Sequence, residues 1–77
     1  MGYDYSKLEG RIIEKFGTRE SFAKESGITA KSIYDKLNNK TIWKQPEISK
    51  AMDLLSIPGG DIELYFFKKK DHEVEKE

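Results

Sequence analysis

Apolar residues recur at helical spacing along the first part of the chain. They form one stripe made of Leu8, Ile12, Ile13 and Phe16. This spacing predicts an amphipathic helix over about residues 5–16. Asp4 or Ser6 can cap its start, and Ser6 with Glu9 has the spacing of a capping box. Gly17 then stands where a left-handed residue ends a helix.

Two shorter helices follow, each preceded by a threonine that can act as N-cap. Thr18 opens the segment TRESFAKES, and Gly27 ends it. Thr29 opens the next helix, and the pair Asn38-Asn39 stops it, because asparagine tolerates the left-handed conformation. The inward positions of the two helices are Phe22, Ala23, Ile28, Ile33 and Leu37. Ile28 and Ile33 flank the second cap as a hydrophobic staple.

The remaining pattern predicts a loop, two further helices and a charged tail. Residues 41–45 (TIWKQ) form the loop, and Pro46 lies in the first turn of a fourth helix, where its missing N–H costs nothing. Residues 57–60 turn the chain into a short fifth helix. The apolar positions of these helices are Ile48, Ala51, Met52, Leu55, Ile62, Leu64, Tyr65, Phe66 and Phe67. We therefore predict one all-α domain of five helices over residues 3–67, followed by a disordered charged tail over residues 68–77.

The charge is balanced overall but uneven along the chain. The 77 residues carry 14 basic and 14 acidic side chains, yet residues 1–44 have nine basic against six acidic. Residues 45–77 have five against eight. Residues 29–44 hold the lysines Lys31, Lys36, Lys40 and Lys44 and the single acid Asp35. Because a partner meets a local patch rather than a sum, this segment is the candidate surface for an anion.

Composition argues against several classes of function. The chain has no cysteine, no apolar run of membrane-spanning length and no signal-peptide core, so we expect a soluble intracellular protein. His72 is the only histidine, and no second ligand or nucleophile stands near it. We find no acid–base constellation either. We expect no enzyme activity, metal, cofactor or small-molecule substrate.

The second and third helices have the spacing of a helix-turn-helix unit over about residues 18–38, in the pattern F-A-x-x-x-G-I-x-x-x-x-I. Ala23 is small where the two helices cross. Gly27 supplies the positive φ that the turn needs. Ile28 then plugs the turn into the core, and Ile33 anchors the following helix.

A DNA-binding unit of this kind places its second helix in the major groove. The positions facing base edges are then Thr29, Ala30, Lys31, Tyr34 and Asp35. Lys31 can donate to guanine, Asp35 can accept from cytosine, and Ala30 can touch a thymine methyl. The positions placed for phosphates are Thr18, Arg19, Ser32, Asn39, Lys40, Thr41 and Lys44.

The stretches YDYSKLEGRIIEKFGT, FAKESGIT, KLNNKT and LYFF carry a family resemblance. Over residues 3–67 the chain resembles phage repressor/Cro-type helix-turn-helix proteins (lambda-repressor-like, XRE family), and more narrowly small Cro-like phage and prophage proteins. The resemblance implies a five-helix lambda-repressor-like bundle and regulation of transcription by binding double-stranded DNA. It implies a dimer, weak here, on palindromic operators, without a cofactor. It also implies a cytoplasmic location in a bacterial host, in association with the nucleoid. Residues 30, 31 and 35 match base-reading positions of that family, and residues 19, 39 and 40 match phosphate-contacting ones.

Other interpretations stay open beside this one. The third helix can be a plain solvated helix, and Tyr34 can pack along its neighbours. Trp43 can stack on a partner, although folding back over the core is favoured. The residues 65–67 (Tyr65, Phe66 and Phe67) can all be core or can leave a ring for a dimer interface. The run 68–70 can track phosphates or belong to a solvated tail. The rival function is a module with the same fold, antirepressor-like, that binds another regulator through residues 65–67.

Overall fold

Residues 2–69 are described by the computed structural model, and they fold into five α-helices joined by short turns. The helices are α1 (Ser6–Phe16), α2 (Arg19–Ser26), α3 (Ala30–Leu37), α4 (Gln45–Leu55) and α5 (Ile62–Phe66). A single 3-10 turn, Gly59–Asp61, precedes α5. These elements confirm the predicted all-α, five-helix class. The prediction for the tail from residue 70 on, including His72, lies outside the described residues.

Local capping signals set the ends of α2 and α3 as the sequence predicts. Thr18 Oγ1 accepts a hydrogen bond from the Ser21 N–H at 3.1 Å, and Thr29 Oγ1 accepts one from the Ser32 N–H at 3.2 Å. Gly27 ends α2 with φ 80°, the left-handed conformation that a side chain would disfavour. Thr18 and Thr29 therefore fix the register of the two helices.

The start of α1 differs from the predicted capping box. Ser6 is already the first helical residue, so its side chain cannot cap the helix that contains it. Asp4 does this instead, because its Oδ1 accepts from the Ser6 N–H at 3.0 Å and from the Ser6 hydroxyl at 2.7 Å. The predicted Ser6–Glu9 box is wrong. The N-cap is Tyr5, without a side-chain capping bond, and Asp4, the other candidate, bonds to the first helical N–H from the position before it.

The core lies where α1, α2, α3, α4 and α5 meet. Its buried apolar members are Tyr5, Leu8, Ile12, Phe22, Ala23, Ile33, Trp43, Ala51, Leu55, Ile57 and Phe66. Trp43 folds back against Phe66, with ring centroids 5.3 Å apart at a steep angle, which confirms its predicted role in covering the core. Large apolar side chains removed from water in this way supply most of the stability of so small a domain.

Arg11 joins α1 to the C-terminal end of α4. Its Nε donates to the Leu55 carbonyl at 2.9 Å, and its Nη2 donates to the Ser56 carbonyl at 3.2 Å. The last carbonyls of a helix lack intrahelical partners, so the guanidinium satisfies two of them. No helix among residues 2–69 has the length and apolar character needed to cross a bilayer.

The two ends of the described chain meet beside the turn that follows α3. Tyr3 and Lys69 form an isolated antiparallel bridge, and the Asp4 N–H donates to the Lys68 carbonyl at 2.7 Å. Lys68 and Lys69, which the sequence assigns to the charged tail, are therefore paired with the N-terminal segment.

Candidate functional site

The helix-turn-helix pair brings the predicted base-reading residues to one side of the molecule. Thr29, Lys31 and Tyr34 are exposed there. Ala30 and Asp35 are half-buried, and Ala30 packs against the core rather than standing clear of it. The outer surface of α3 is thus smaller than helical spacing alone predicts, and Lys31 and Tyr34 are its most prominent members.

Two of the predicted DNA-contacting cations, Lys31 and Arg19, are paired with carboxylates within the chain. Lys31 Nζ lies 3.3 Å from Asp35 Oδ2, one helical turn away. Arg19 forms an ion pair and hydrogen bond with Glu9 of α1. A cation already facing a carboxylate presents less positive potential to a phosphate than a free one does. Lys31 and Arg19 therefore offer an approaching DNA backbone less positive potential than unpaired cations would.

Lys36 belongs to the interior and not to the surface patch. Its side chain is 6% exposed, and its Nζ lies 3.5 Å from Glu47 Oε1 and 3.4 Å from Ser32 Oγ. Glu47 Oε1 also accepts from the Lys44 N–H at 2.9 Å, at the start of α4. Of the four lysines in residues 29–44, Lys36 therefore forms a buried ion pair that links α3 to α4.

Asn39 holds the N-terminal segment in place. The Tyr3 N–H donates to Asn39 Oδ1 at 3.0 Å, and Asn39 Nδ2 donates to the Tyr3 carbonyl at 2.9 Å. Asn39 adopts φ 64°, as predicted for the residue that stops α3. Its amide is thereby engaged inside the chain.

The other residues predicted to contact phosphates differ in whether their side chains already form hydrogen bonds within the chain. Thr18 caps α2, and Ser32 accepts the weak hydrogen bond from Lys36. Lys40, Thr41 and Lys44 are exposed. Phosphate contact by these residues, and base reading by the α3 residues, stay predictions.

A concave apolar surface lies on the side where the chain ends meet. We call it the aromatic groove, and its principal walls are Tyr3, Tyr5, Ile42, Trp43, Phe66 and Phe67. Its volume is about 630 Å³. That is within the range of roughly 300–1,000 Å³ typical of small-molecule and side-chain binding clefts. The N-terminal segment, the loop after α3 and the end of α5 build it together.

The rings of the groove contact one another edge to face. Tyr3 and Phe67 have centroids 5.9 Å apart at an interplanar angle of 89°, and Tyr5 and Trp43 have centroids 6.4 Å apart at 65°. Such pairs stabilise a wall beyond simple burial, by about 0.5–1.5 kcal/mol each. The groove is therefore a packed and pre-formed surface.

The indole N–H of Trp43 is buried and has no hydrogen-bond acceptor among the described residues. A buried donor without a partner costs roughly 1–3 kcal/mol. Native proteins rarely leave such a group unpaired without a reason, so this atom draws attention to the surface that Trp43 helps to form.

The three aromatic residues at the C-terminal end of α5 divide between core and surface. Phe66 is buried, Tyr65 is half-buried, and Phe67 stays 44% exposed at the groove. Lys7 Nζ lies 5.8 Å from the centroid of the Tyr65 ring. One ring of the three is thus available to a partner, as the rival interpretation of this segment requires.

Burial changes the acidity of one group in the groove. The pKa of Tyr5 is raised from its ordinary value of 10.0, mainly because burial disfavours the phenolate and secondarily because Tyr3 lies near it. Tyr5 therefore keeps its proton throughout the neutral range. Among residues 2–69 no group of three histidine, cysteine, aspartate or glutamate side chains is placed to hold a metal ion.

Sequence reasoning missed the groove and its most exposed member. Ile42 is 77% exposed, the highest value among the large apolar side chains that the structure describes. Its signal was an isolated isoleucine in a polar loop, directly before the one tryptophan. The walls come from three segments, and residues such as Tyr3, Ile42 and Phe67 are far apart in sequence, so no local pattern brings them together.

Comparison with known proteins gives a family and a structural relative. A family model described as "Protein of unknown function (DUF739)" matches residues 1–69. The chain is similar to the solution structure of the modulator of repression (MOR) of the temperate bacteriophage TP901-1 from Lactococcus lactis. The identity is 46%, the TM-score is 0.75, and the match covers 87% of this chain and 90% of that one. No curated protein sequence matches the chain.

Proposed function

The chain belongs to the DUF739 family, and on that premise we propose that it is a phage regulatory protein that binds a DNA-binding repressor and modulates repression. The observation that carries the proposal is the 46% identity, over 87% of the chain, to a phage modulator of repression. In this function the immediate partner is a protein. The operator DNA is reached only through that partner.

The electrostatics of α3 support a protein partner over direct DNA reading. Binding to duplex DNA draws much of its affinity from cations that neutralise phosphates. Here Lys31 faces Asp35, Arg19 faces Glu9, and Lys36 is buried. The protein carries no net charge either. A helix-turn-helix whose α3 and α2 cations are already paired or buried is better suited to contact a protein surface.

The apolar surface supports the same conclusion. The cores of protein interfaces are depleted in charge and enriched in aromatic residues. Ile42 and Phe67 are exposed large hydrophobics, and they lie together on the walls of the aromatic groove. Apolar residues that cluster in this way mark interaction sites, whereas scattered ones do not.

The test uses the repressor encoded in the same phage or prophage genome, together with its operator duplex. We expect this protein to bind the purified repressor in a pull-down and by calorimetry. It should also change the fraction of operator that the repressor occupies in a mobility-shift assay, by at least tenfold in apparent repressor affinity. Absence of any contact with the repressor at micromolar concentrations contradicts the proposal.

A second candidate function is sequence-specific binding of double-stranded DNA by α3, with residues 29, 30, 31, 34 and 35 reading bases. The observation that favours it is that Lys31, Tyr34, Lys40 and Lys44, which lie close together in sequence, are all exposed. This function predicts affinity for duplex DNA without the repressor, with a log–log salt slope of roughly −0.9 per phosphate neutralised. Titrating a fluorescent duplex with this protein alone separates the two candidates.

A further inference from the structure

We propose that the aromatic groove is the site that receives the repressor, and that the group it takes is an apolar side chain with a carboxylate beside it. The inference rests on the proposed function and adds to it the surface and the chemistry of the contact. Three features of the groove support the proposal: its shape, the sign of the charges beside it, and the exposure of its wall residues Ile42 and Phe67, which allows them to be substituted in the folded protein.

The shape of the groove suits an inserted side chain. Its base is Trp43 and Phe66, both buried, while Ile42 and Phe67 stand exposed at the walls. A buried aromatic base with exposed apolar walls is the arrangement of an interface anchor pocket, in which a few residues supply most of the binding energy. Such a pocket takes one or two apolar side chains from a partner.

The charged residues in the wall of the groove or next to wall residues along the chain are mostly basic. Lys69 is the one charged residue among the described walls of the groove. Lys68 is the next residue along the chain from Lys69, Lys40 lies between two wall residues, and Lys44 follows Trp43. All four lysines are exposed, and none has a carboxylate partner among the ion pairs of residues 2–69.

The two acids closest along the chain to the walls are already engaged. Glu47 accepts from the Lys44 N–H and lies near Lys36, and Asp4 caps α1. These carboxylates keep their charge, so four lysines stand against two acids next to the walls, and the balance beside the apolar centre is positive. Electrostatic complementarity favours a partner with a negative group beside its apolar anchor.

The same charges argue against a second copy of this chain as the occupant. A two-fold dimer places identical surfaces against each other, so groove-to-groove contact would bring two lysine edges together. Like charges facing each other across an interface are unfavourable. A repressor segment that combines an apolar residue with Asp or Glu fits the surface without this conflict.

The first test compares substitutions of matched exposure inside and outside the groove. Phe67 is 44% exposed and Ile13, on α1, is 43% exposed, but only Phe67 lines the groove. We expect Phe67→Ser and Ile42→Ser each to weaken binding of the purified repressor about tenfold or more, as loss of an interface anchor does. We expect Ile13→Ser to bind as the parent chain does. Circular dichroism checks that each variant is folded, and Ile42 is so exposed that its substitution leaves the core intact.

The second test addresses the charge. Lys69→Glu should weaken repressor binding several-fold and reverse its salt dependence, because the edge then repels the partner's carboxylate. Lys50→Glu makes the same change of charge at an exposed position of α4 outside the groove, and it should have little effect. Equal effects of the two substitutions would contradict the charge argument.

Trp43 supplies a direct reading of occupancy, because it is the only tryptophan and gives a single indole N–H signal in a proton–nitrogen correlation spectrum. We expect that signal to shift on addition of the repressor in the parent chain and in Ile13→Ser. Repressor binding with an unmoved indole signal, and with unchanged affinity in Phe67→Ser and Ile42→Ser, overturns the groove and leaves the proposed function standing. Failure of the parent chain to bind the repressor overturns both. A dimer of this protein that Ile42→Ser dissociates assigns the groove to self-association and overturns the proposal.

Discussion

At the scale of single residues, Asn39 shows how one position can serve two local demands. It takes the left-handed conformation that ends α3, and its amide pairs with both the N–H and the carbonyl of Tyr3. Asparagine is suited to this, because it tolerates positive φ and carries both a donor and an acceptor. The phosphate contact that the sequence analysis assigns to Asn39 stays a prediction, and in the folded chain its amide is bonded to Tyr3.

Replacing Asn39 separates these two demands. Asn39→Ala loses both hydrogen bonds and puts alanine, which tolerates positive φ less well than asparagine, at φ 64°, so we expect the free energy of unfolding to fall by about 2 kcal/mol. Asn39→Gly loses the same bonds but suits the backbone, and it should cost about 1 kcal/mol less than alanine. Urea unfolding followed by circular dichroism measures both. Equal losses for the two variants would mean that the backbone conformation contributes nothing.

Ionisation of Tyr5 is expected to lower the stability of the folded protein at alkaline pH. The pKa of Tyr5 is raised in the folded state above the ordinary value of 10.0, so the folded chain holds this proton more tightly than the unfolded chain does. The corresponding stability is complete below pH 10 and is lost as the pH rises through the raised pKa. We expect Tyr5→Phe to unfold with a smaller loss of stability between pH 8 and pH 11 than the parent chain, measured by urea titration at each pH. An unchanged pH dependence in Tyr5→Phe would contradict this.

At the scale of elements, an ion pair between Lys36 and Glu47 joins α3 to α4 in addition to their apolar contact. Lys36 lies on the inward side of α3, and Glu47 lies in the first turn of α4. Glu47 also caps its own helix through the Lys44 N–H. The position of α3 therefore depends on a carboxylate that belongs to the next helix.

The Lys36–Glu47 ion pair can be tested with single and double substitutions. Glu47→Gln keeps an oxygen for the Lys44 N–H but leaves the Lys36 ammonium buried without a counter-charge, so it should lower the free energy of unfolding by about 2 kcal/mol. Lys36→Met removes the buried charge and should change stability by about 1 kcal/mol or less. Combining the two substitutions should recover most of the loss from Glu47→Gln, as measured in a thermodynamic cycle. Simple additivity would show that the two side chains do not interact.

At the scale of the whole molecule, the aromatic groove and the core share their walls. Tyr5, Trp43 and Phe66 belong to both. A surface that shares buried rings with the core cannot open without exposing the core to water. The groove should therefore persist for as long as the fold does.

This continuity predicts a single unfolding transition. Trp43 fluorescence reports the groove, and circular dichroism at 222 nm reports the helices. We expect the two signals to give the same urea midpoint, as a cooperative two-state domain requires. A fluorescence midpoint clearly below the circular dichroism midpoint would show that the groove opens separately. Ile13→Ser is the control, because Ile13 does not line the groove.

The contrast between predicted and missed features follows from the range of the interactions. Thr18, Thr29 and Gly27 act on residues within a turn of themselves, so the sequence alone predicts their roles and with them the five helices. The inward position of Lys36 and the engagement of Asn39 depend on partners 11 and 36 residues away. The groove depends in the same way on how helices pack. Helical spacing cannot carry that information, and it consequently assigned Lys36 to a surface patch.

The meeting of Tyr3 with Asn39 and Lys69 has a consequence for the order in which the protein is made. The ribosome releases the N-terminal segment first, but its partners follow 36 and more residues later. Contacts of such long sequence separation form late in folding. While α5 is still inside the exit tunnel, α1, α2 and α3 can coil locally, but Phe66 and Phe67 are missing and the groove has no far wall. A nascent chain should therefore lack a formed aromatic groove until α5 has left the tunnel.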